Sequence, residues 1–374
     1  MCARVLVTIT YYVDRETRGM DKLKVGVVGC GFVAKKDHVP SFLRLKRDVV
    51  ISAVCDLNQS LATSVAKKFS IPDAYSNISE MLKKEDLDIL DICTPPQVHA
   101  PLAIEAMEKN CHVLLEKPMA LKTSDCDQMI NIAQKNSLKL CVVHNEIFRP
   151  PLLKARELLE KDDIGKLTGM RWTRFTHKEE YMSLKNHWVH KLPGGILGET
   201  GPHSVYTSLA FLKKIKNVEI SAKKTLEYPW VSYDYFNMLL EGEKANSSII
   251  ISHSNDNFIA DVELYGTKGC LKMDLQSMIL TRYKLKETKL VPIALSTLST
   301  VSQMMKSMLF NTTKVMFIRH SLARALGFAT LIEQYVNSII YDQKTPVSAE
   351  EGRETVKVME NIVKKLHDNY GNPK

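Results

Sequence analysis

The stretch HVLLEKPMA at residues 112–120 ends an apolar run with two opposite charges and a proline. The run predicts a short buried strand, and Glu116, Lys117 and Pro118 follow it at once. Proline restricts its own backbone and that of the residue before it, and the Lys117–Pro118 bond can be cis. A lysine held in this way can stabilise negative charge that develops on a ligand during a reaction. These residues alone are equally typical of a surface ion pair at a strand end.

A second candidate for chemistry lies in GGILGETGPH, where Glu199 and His203 are four residues apart. On a helix, this spacing places both side chains on one face. A carboxylate beside an imidazole raises its basicity and orients it, as a general base requires. The pair supplies too few ligands for a metal ion, so no metal site is predicted. The alternative is an ordinary pair on a helix surface.

A glycine-rich turn follows the first apolar run and reads GCGFVA, from Gly29 to Ala34. The first glycine allows a tight turn, Gly31 lets backbone N–H groups approach a pyrophosphate, and Ala34 lets the helix pack close to the strand. The second predicted strand ends in Asp56, whose carboxylate can bind an adenosine ribose and repel a 2′-phosphate. No arginine lies between residues 57 and 69, so NAD is favoured over NADP. The alternatives are a purely structural turn and a solvated aspartate.

Short apolar runs alternate with helical patterns in the first part of the chain. This alternation predicts parallel β-α-β units and a doubly wound sheet, whose ligands bind beyond the carboxyl ends of the strands. The predicted strands lie at 24–29, 49–56, 87–95, 112–116 and 138–144, and the helices at 59–69, 97–110 and 122–137.

The second part of the chain has a different pattern. After a helix at 151–161, runs with β-branched residues are joined by Gly, Asn and Asp turns, which predicts an antiparallel sheet. The predicted domains are an extension at 1–20, a dinucleotide-binding domain at 21–147 and a substrate and oligomerisation domain at 148–374. The predicted strands lie at 166–175, 217–228, 232–242, 245–254, 258–269 and 269–275.

Several of these motifs together resemble one family. TPPQVHAPLAIEAMEKNCHVLLEKPMA at 94–120 is similar to the T-P-x-x-x-H … E-K-P signature of the glucose–fructose oxidoreductase and inositol dehydrogenase (Gfo/Idh/MocA) family. HNEIFRP at 144–150, GGILGETGPH at 194–203 and TPVSAEEGRETVKVMENI at 345–362 extend the similarity. It covers nearly all of residues 22–370, except a divergent stretch near 284–325. The resemblance implies an α/β protein with an N-terminal Rossmann domain and a C-terminal α+β domain, whose large open, mostly antiparallel sheet commonly forms the subunit interface.

The resemblance also implies roles for individual residues. Lys117, His203 and Glu199 would be catalytic and would bind substrate together with Trp188. Trp188, which is equally well explained as a core residue, could stack on a sugar or cyclitol ring while nearby His187, His190 and Lys191 donate to hydroxyls. The expected cofactor-binding residues are Gly29, Gly31, Phe32, Val33, Asp56, Thr94, Pro95, His99, Glu116, Lys117 and Asn145.

Three positions depart from the family pattern. Glu199 stands where the family typically has Asp, Tyr206 replaces an Asp later on the same helix, and Ile147 replaces an arginine before Phe148. The glutamate keeps the charge but extends it by one methylene, so its target can differ. The other two changes remove usual polyol and nicotinamide contacts.

Composition excludes several classes of protein. The chain has 51 Lys and Arg against 42 Asp and Glu, a net charge of +9 with His neutral, but the basic residues are dispersed. This is typical of a solvated surface and not of a nucleic-acid-binding stripe. No apolar run approaches the ~20 residues of a membrane span. The apolar segment at 5–13 lacks a cleavage site for a signal peptide and is either an accessory strand or the product of an upstream start codon.

The eight cysteines contain no C-x-x-C pair, and four lie in or just after strand-like runs. They are expected to be small core residues in a reducing compartment, which favours a cytoplasmic protein without disulfides or structural zinc.

A further segment at 301–317 has Val301, Met304, Met305, Met308 and Leu309 at helical spacing. It predicts an amphipathic helix that forms a buried face, a lid or an oligomer contact, or else lies on a membrane surface.

These features together predict NAD-dependent oxidation of a secondary alcohol on a sugar, sugar derivative or cyclitol, with reversible ketone reduction, by a homodimer or homotetramer. One alternative is a cofactor- or sugar-sensing regulatory protein without turnover. The other is a protein that uses NAD transiently to cleave a glycoside. The presence of both Lys117 and His203 favours chemistry over sensing, although a fold alone does not prove a function.

Overall fold

The computed structural model describes residues 21–176, 180–255, 257–284, 294–295, 297–307 and 322–371. The first sheet has six parallel strands in the order β3-β2-β1-β4-β5-β6. The order reverses between β1 and β4, which is where open α/β sheets bind ligands. The five predicted strands are present: the first is shifted by one residue, and the other four are shorter than predicted. The strands are β1 Leu23–Val28, β2 Val49–Cys55, β3 Asp73–Tyr75, β4 Ile89–Ile92, β5 His112–Leu115 and β6 Leu140–Val142.

Helices pack on both faces of this sheet, and the three predicted ones are confirmed. The first helix begins at the glycine loop as a π-helical turn and continues as an α-helix. Asn58 caps the second helix, because its side chain accepts a hydrogen bond from the Leu61 N–H. The third helix and β3 were not predicted, since each is short. The helices are α1 (Ala34–His38, then Val39–Arg44), α2 Gln59–Phe69, α3 Ile78–Lys84, α4 His99–Glu108 and α5 Thr123–Lys135.

The second sheet has seven strands in the order β13-β12-β11-β7-β10-β9-β8. It is antiparallel except for the pair β7 and β10, which run parallel. The last strand, β13, was not predicted, because its sequence has no clear strand pattern. It lies at the edge of the sheet. The strands are β7 Leu167–Phe175, β8 Ile215–Lys223, β9 Tyr235–Gly242, β10 Asn246–Ser252, β11 Ile259–Gly266, β12 Gly269–Asp274 and β13 Ile279–Lys284.

Within the described part of the second half, the helices that pack on the two cores include α6 Pro150–Glu160, α7 Ile196–Leu212, α8 Leu322–Ile340 and α9 Ala349–Tyr370. A short helix at Glu180–Ser183 and a helix at 297–307 are also described. A capping box between Ser348 and Glu351 begins α9. Its apolar face reaches both domain cores. Helix α8 lies in the range predicted for the second domain, yet Phe328, Leu331 and Tyr335 are buried in the core of the first. The chain therefore returns to the dinucleotide-binding domain after the second sheet.

Part of the predicted amphipathic helix is described, as a helix at 297–307. Val301, Met304 and Met305 are 48%, 44% and 58% exposed. The prediction that this apolar face is buried is therefore wrong for the residues that the structure describes. Met308 and Leu309 lie outside those residues, and a lid, an oligomer contact or a membrane surface stays a prediction. Among the described residues, no helix has both the length and the apolar character needed to cross a membrane.

Candidate active site

The glycine loop leaves open space where a pyrophosphate would lie. Gly29 has φ +89°, and a Cβ added to it would lie 2.8 Å from the backbone of Cys93. Only glycine fits there. A Cβ on Gly31 would meet no atom within 4 Å, and beside it Phe32 is 61% exposed while Val33 is half-buried. This open surface at the start of α1 suits an anionic ligand.

Asp56 lies beside this loop, as its position after β2 predicts. Its Oδ2 accepts a hydrogen bond from the Cys30 N–H at 2.8 Å, and its Oδ1 accepts one from the Asn58 N–H at 2.9 Å. Each carboxylate oxygen has two acceptor sites. Asp56 therefore braces the loop and still has acceptors for ribose hydroxyls.

The loops after β4 and β5 are joined by His99. Its buried ring places Nδ1 3.0 Å from the carbonyl oxygen of Pro118 and Nε2 2.9 Å from that of Thr94. Burial lowers the pKa of His99, although both carbonyls oppose this shift. His99 was expected to bind cofactor, and the structure shows it as a brace. Pro95 is exposed in the same loop, and the Thr94 Oγ1 is buried without a partner among the described residues.

The peptide bond between Lys117 and Pro118 is cis, one of the two forms that the sequence allows for this bond. Glu116 is buried, and its Oε2 accepts a hydrogen bond from the Lys117 N–H at 2.9 Å. Its Oε1 lies 3.0 Å from the Nε2 of His38. Glu116 therefore holds Lys117 by the backbone, and both of its oxygens are engaged within the protein.

His38 and Asp91 were missed by the sequence reasoning. His38 is fully buried on α1, with its Nδ1 2.9 and 3.0 Å from the two carboxylate oxygens of Asp91 on β4. Burial opposes the charged imidazole, but the carboxylate of Asp91 raises the pKa of His38 well above its ordinary value. The Cys93 Sγ lies 3.5 Å from Asp91 Oδ2. Although His38, Asp91 and Cys93 have metal-ligand atoms close together, an imidazole that donates from both nitrogens has no lone pair for a metal.

Lys117 reaches from the first domain to the second. Its Nζ lies 2.6 Å from the Oε1 of Glu199 and 3.1 Å from the carbonyl oxygen of the same residue. The two side chains are 9% and 27% exposed. The sequence placed Glu199 beside His203 on α7, and the structure places its carboxylate on the lysine. The candidate catalytic residues of both domains thus meet at one place.

His203 lies one turn further along α7 and is hydrogen-bonded to Tyr206. The distance between its Nδ1 and the Tyr206 hydroxyl is 2.7 Å. That hydroxyl accepts from the Glu146 N–H at 3.2 Å and donates to the Asn145 Oδ1 at 3.3 Å. With the hydroxyl proton directed to Asn145, His203 Nδ1 donates in the third contact, and the Glu146 carboxylate 3.9 Å from Nδ1 favours the same tautomer. Nε2 is then the basic nitrogen of the ring. Asn145 does not contact His203 in these bonds, and it orients the Tyr206 hydroxyl that does.

Glu146 adds a buried carboxylate next to His203. Its Oε1 lies 2.7 Å from the Nη1 of Arg174, 3.6 Å from the Nη2 of Arg149 and 3.9 Å from the Nδ1 of His203. Burial opposes ionisation, but Arg174 and Arg149 hold the pKa of Glu146 below its ordinary value. The only sequence signal for this role was a carboxylate two residues after the predicted strand at 138–144.

Two further groups lie near α7. Trp188 is half-buried in a turn at Trp188–Lys191, with its ring centroid 5.4 Å from that of His187. This placement is compatible with either role that the sequence suggested. His253 is buried between Thr176 and Thr200, with ring nitrogens 2.9 and 3.2 Å from their hydroxyls. It connects the ends of β7 and β10 to α7 next to Glu199.

Two family models match this architecture. Residues 23–144 match the oxidoreductase family with an NAD-binding Rossmann fold, and residues 152–272 match the GFO/IDH/MocA C-terminal domain. The chain belongs to the GFO/IDH/MocA oxidoreductase family. Its cofactor is NAD, and the open space over Gly31, the acceptors of Asp56 and the unpartnered Thr94 hydroxyl fit such a dinucleotide.

Curated relatives of this chain have several descriptions. An uncharacterized protein of Saccharomyces cerevisiae is 24% identical over 68% of this chain and 75% of its own length. A glycosyl hydrolase family 109 protein of Shewanella woodyi is 27% identical over 51% of this chain, and 1-carboxy-3-chloro-3,4-dihydroxycyclo hexa-1,5-diene dehydrogenase of Comamonas testosteroni is 32% identical over 49%. The matches span only 44% and 46% of those two proteins.

Solved structures of the same fold include the WlbA dehydrogenase of Bordetella pertussis, in complex with NADH and UDP-GlcNAcA. It is 18% identical to this chain, with a TM-score of 0.77 over 93% of this chain and 96% of that one. At this identity, the likeness concerns the fold.

Proposed function

We propose that the protein is an NAD-dependent dehydrogenase that moves a hydride between a secondary alcohol and the nicotinamide ring. The substrate class is a sugar, a sugar derivative or a cyclitol. The observation that carries this proposal is the contact of Lys117 Nζ with Glu199 Oε1 at 2.6 Å, with His203 one helical turn away. It brings a fixed cation and a general base together at the carboxyl end of β5, where the family binds its cofactor.

Lys117 is suited to stabilise the substrate oxygen. Its ammonium has three donors, and the described contacts to Glu199 use two of them. The third can donate to the alcohol oxygen and stabilise the negative charge that grows there as the proton leaves. Glu116 holds the backbone of Lys117 through its N–H, so the cation is oriented before substrate binds.

His203 is suited to take the hydroxyl proton. Tyr206 accepts from Nδ1 and thereby makes Nε2 the basic atom, while the carboxylate of Glu146, 3.9 Å from Nδ1, stabilises the imidazolium that forms. Bound NAD⁺ supplies the hydride acceptor. The hydrogen on the alcohol carbon would leave as hydride, with the electron pair of the C–H bond, for the nicotinamide. The O–H proton would go to His203 and the O–H electron pair would form the C=O bond, so the products are a ketone, the reduced cofactor and a protonated imidazole. The reverse sequence reduces the ketone.

The test is a panel of sugars, sugar derivatives and cyclitols with NAD⁺, followed by nicotinamide absorbance. His203→Ala should lower turnover of any substrate found by ~10²–10⁴-fold, the usual contribution of a general base. Its affinity for NADH should change little, because His203 belongs to the substrate side. A substrate oxidised at the wild-type rate by His203→Ala would refute the assigned role.

The similarity to the Shewanella woodyi protein favours one alternative, the cleavage of a glycoside with NAD used transiently. Hydride removal and return would then leave no net NADH. Release of nitrophenol from nitrophenyl glycosides, dependent on NAD⁺ and without a lasting absorbance change of the nicotinamide, would support this alternative. A sugar that tightens NAD binding without any turnover would instead indicate a sensor.

A further inference from the structure

The buried cluster of Asp91, His38 and Glu116 has a definite charge. The imidazole of His38 faces a carboxylate oxygen at each nitrogen, at 2.9 Å and 3.0 Å. A hydrogen bond to a carboxylate needs a proton on the nitrogen, so His38 carries two N–H groups and one positive charge. With two carboxylates and one imidazolium, the cluster has one net negative charge.

The neighbouring Lys117 acts on the Glu116 carboxylate, but its own partner limits how much of the cluster's charge it offsets. Lys117 forms its own ion pair with Glu199 at 2.6 Å, so those two charges offset each other. On the substrate side, Glu146 is close to Arg149 and Arg174, which belong to the second domain. Because Asp91 and His38 are fully buried and Glu116 nearly so, water screens the charge of the cluster weakly.

The cluster also has a definite place on the sheet. Asp91 belongs to β4 and Glu116 follows β5, on the far side of the switch point from Asp56. In this fold, the adenosine half lies over β1 and β2, and the nicotinamide half over the strands beyond β4. Asp91 and Glu116 therefore belong to the half of the sheet that would receive the nicotinamide, and Glu116 contacts the backbone of Lys117 there.

We propose that the Asp91–His38–Glu116 cluster biases the protein toward the oxidised cofactor by placing one buried negative charge beneath the nicotinamide ring. The ring is a cation in NAD⁺ and neutral in NADH, and the rest of the two molecules is the same. The charge of the cluster consequently acts on the ratio of the two dissociation constants. This inference concerns cofactor binding, and its test needs no substrate.

Two isosteric variants remove the charge at different places, Glu116→Gln and Asp91→Asn. NADH affinity is measured by fluorescence titration and NAD⁺ affinity by calorimetry. Each variant should shift the ratio of dissociation constants about tenfold toward NADH, as expected for one charge at roughly 10 Å and an effective dielectric constant of about 20. Asp91→Asn leaves the contact between Glu116 and the Lys117 N–H in place.

Two controls separate charge from shape. The double variant His38→Gln/Asp91→Asn removes one charge of each sign, so it should keep the wild-type ratio. Asp56→Asn changes the adenosine side, so both dissociation constants should rise by the same factor. Circular dichroism identifies any variant that fails to fold. The proposal is then tested on the variants that do fold, since each of them has its own expected ratio of dissociation constants.

Three results would overturn the proposal. The first is an unchanged ratio in folded Asp91→Asn and Glu116→Gln. The second is a shift in Glu116→Gln alone, which would assign the effect to the Lys117 backbone. The third is an equal shift in the double variant.

Discussion

The Nζ of Lys117 and the Oε1 of Glu199 are 2.6 Å apart, although the two residues belong to different domains. This pairing fixes where the second domain presents α7 to the nucleotide-binding sheet. Because Lys117 has a third donor, a substrate hydroxyl can bind the ammonium while the contact with Glu199 remains.

Lys117→Met should therefore abolish most turnover while leaving the fold intact. Methionine has a similar volume but no donor, so the growing negative charge on the substrate oxygen is left without its cation. A loss of ~10²–10³-fold in kcat is expected for removal of such a stabilising donor. NADH affinity, measured by fluorescence, should weaken only modestly. Glu199→Gln is the matched control: its amide oxygen can still accept from Lys117, so its loss of kcat should be smaller.

Tyr206→Phe should show that the hydroxyl, and not the family's usual carboxylate, orients His203. The variant leaves Nδ1 without its acceptor and the Glu146 N–H without its partner. We expect kcat to fall less than in His203→Ala, with KM nearly unchanged. An unsatisfied buried donor costs ~1–3 kcal/mol, which urea unfolding should detect as a lower free energy of unfolding. A wild-type kcat in Tyr206→Phe would exclude this orienting role.

The sequence named three candidate groups that the structure brings close together, but it did not give their pairings. Lys117, Glu199 and His203 could be named because each stands at a marked place, a strand end or a helix face. The i, i+4 spacing put Glu199 beside His203, but it could not show that Lys117, which follows β5 in the first domain, contacts that carboxylate.

The buried networks beneath the site were harder to predict. His38, Asp91 and Glu116 come from three separate segments that meet only because β4 and β5 are neighbours in the sheet. Strand order can be guessed from a β-α-β pattern, but side-chain contacts across it depend on register. The return of α8 to the first domain also depends on tertiary packing, because its apolar pattern fits either core.

Asp56→Ser should narrow the preference for NADH over NADPH. The carboxylate repels a 2′-phosphate, and its substitution removes that repulsion together with the hydrogen bonds to the Cys30 and Asn58 N–H groups. Fluorescence titration with both reduced cofactors measures the change. Wild-type protein that binds NADPH as tightly as NADH would remove the basis of this prediction.

The open face of the second sheet is expected to form the interface of a dimer or tetramer. On that face Glu263 lies 3.1 Å from Arg171 and 3.2 Å from Lys272. Glu263→Lys would place three cations together, so it should shift the mass in light scattering toward the monomer. Lys67→Glu, on the exposed side of α2 in the first domain, should keep the wild-type mass. A monomeric wild-type protein at micromolar concentration would contradict the expectation.

The last prediction concerns stability in acid and rests on His144 and His253. Burial lowers the pKa of each to about 3, against ~6.5 in an unfolded chain. Between these values the unfolded state binds more protons than the folded state, so the free energy of unfolding falls as the pH falls.

Each histidine should contribute a slope of about 1.4 kcal/mol per pH unit between pH 6 and pH 4.5. His144→Phe keeps a ring against Tyr206, where the centroids are 4.2 Å apart, and removes one titrating group. Urea unfolding at several pH values should then show a slope shallower by that amount. Tyr335→Phe removes a buried hydroxyl that stays protonated in acid, because burial raises its pKa well above its ordinary value. It should therefore lower stability equally across the range from pH 6 to pH 4.5. The same slope in His144→Phe as in the wild type would mean that His144 is protonated in the folded protein.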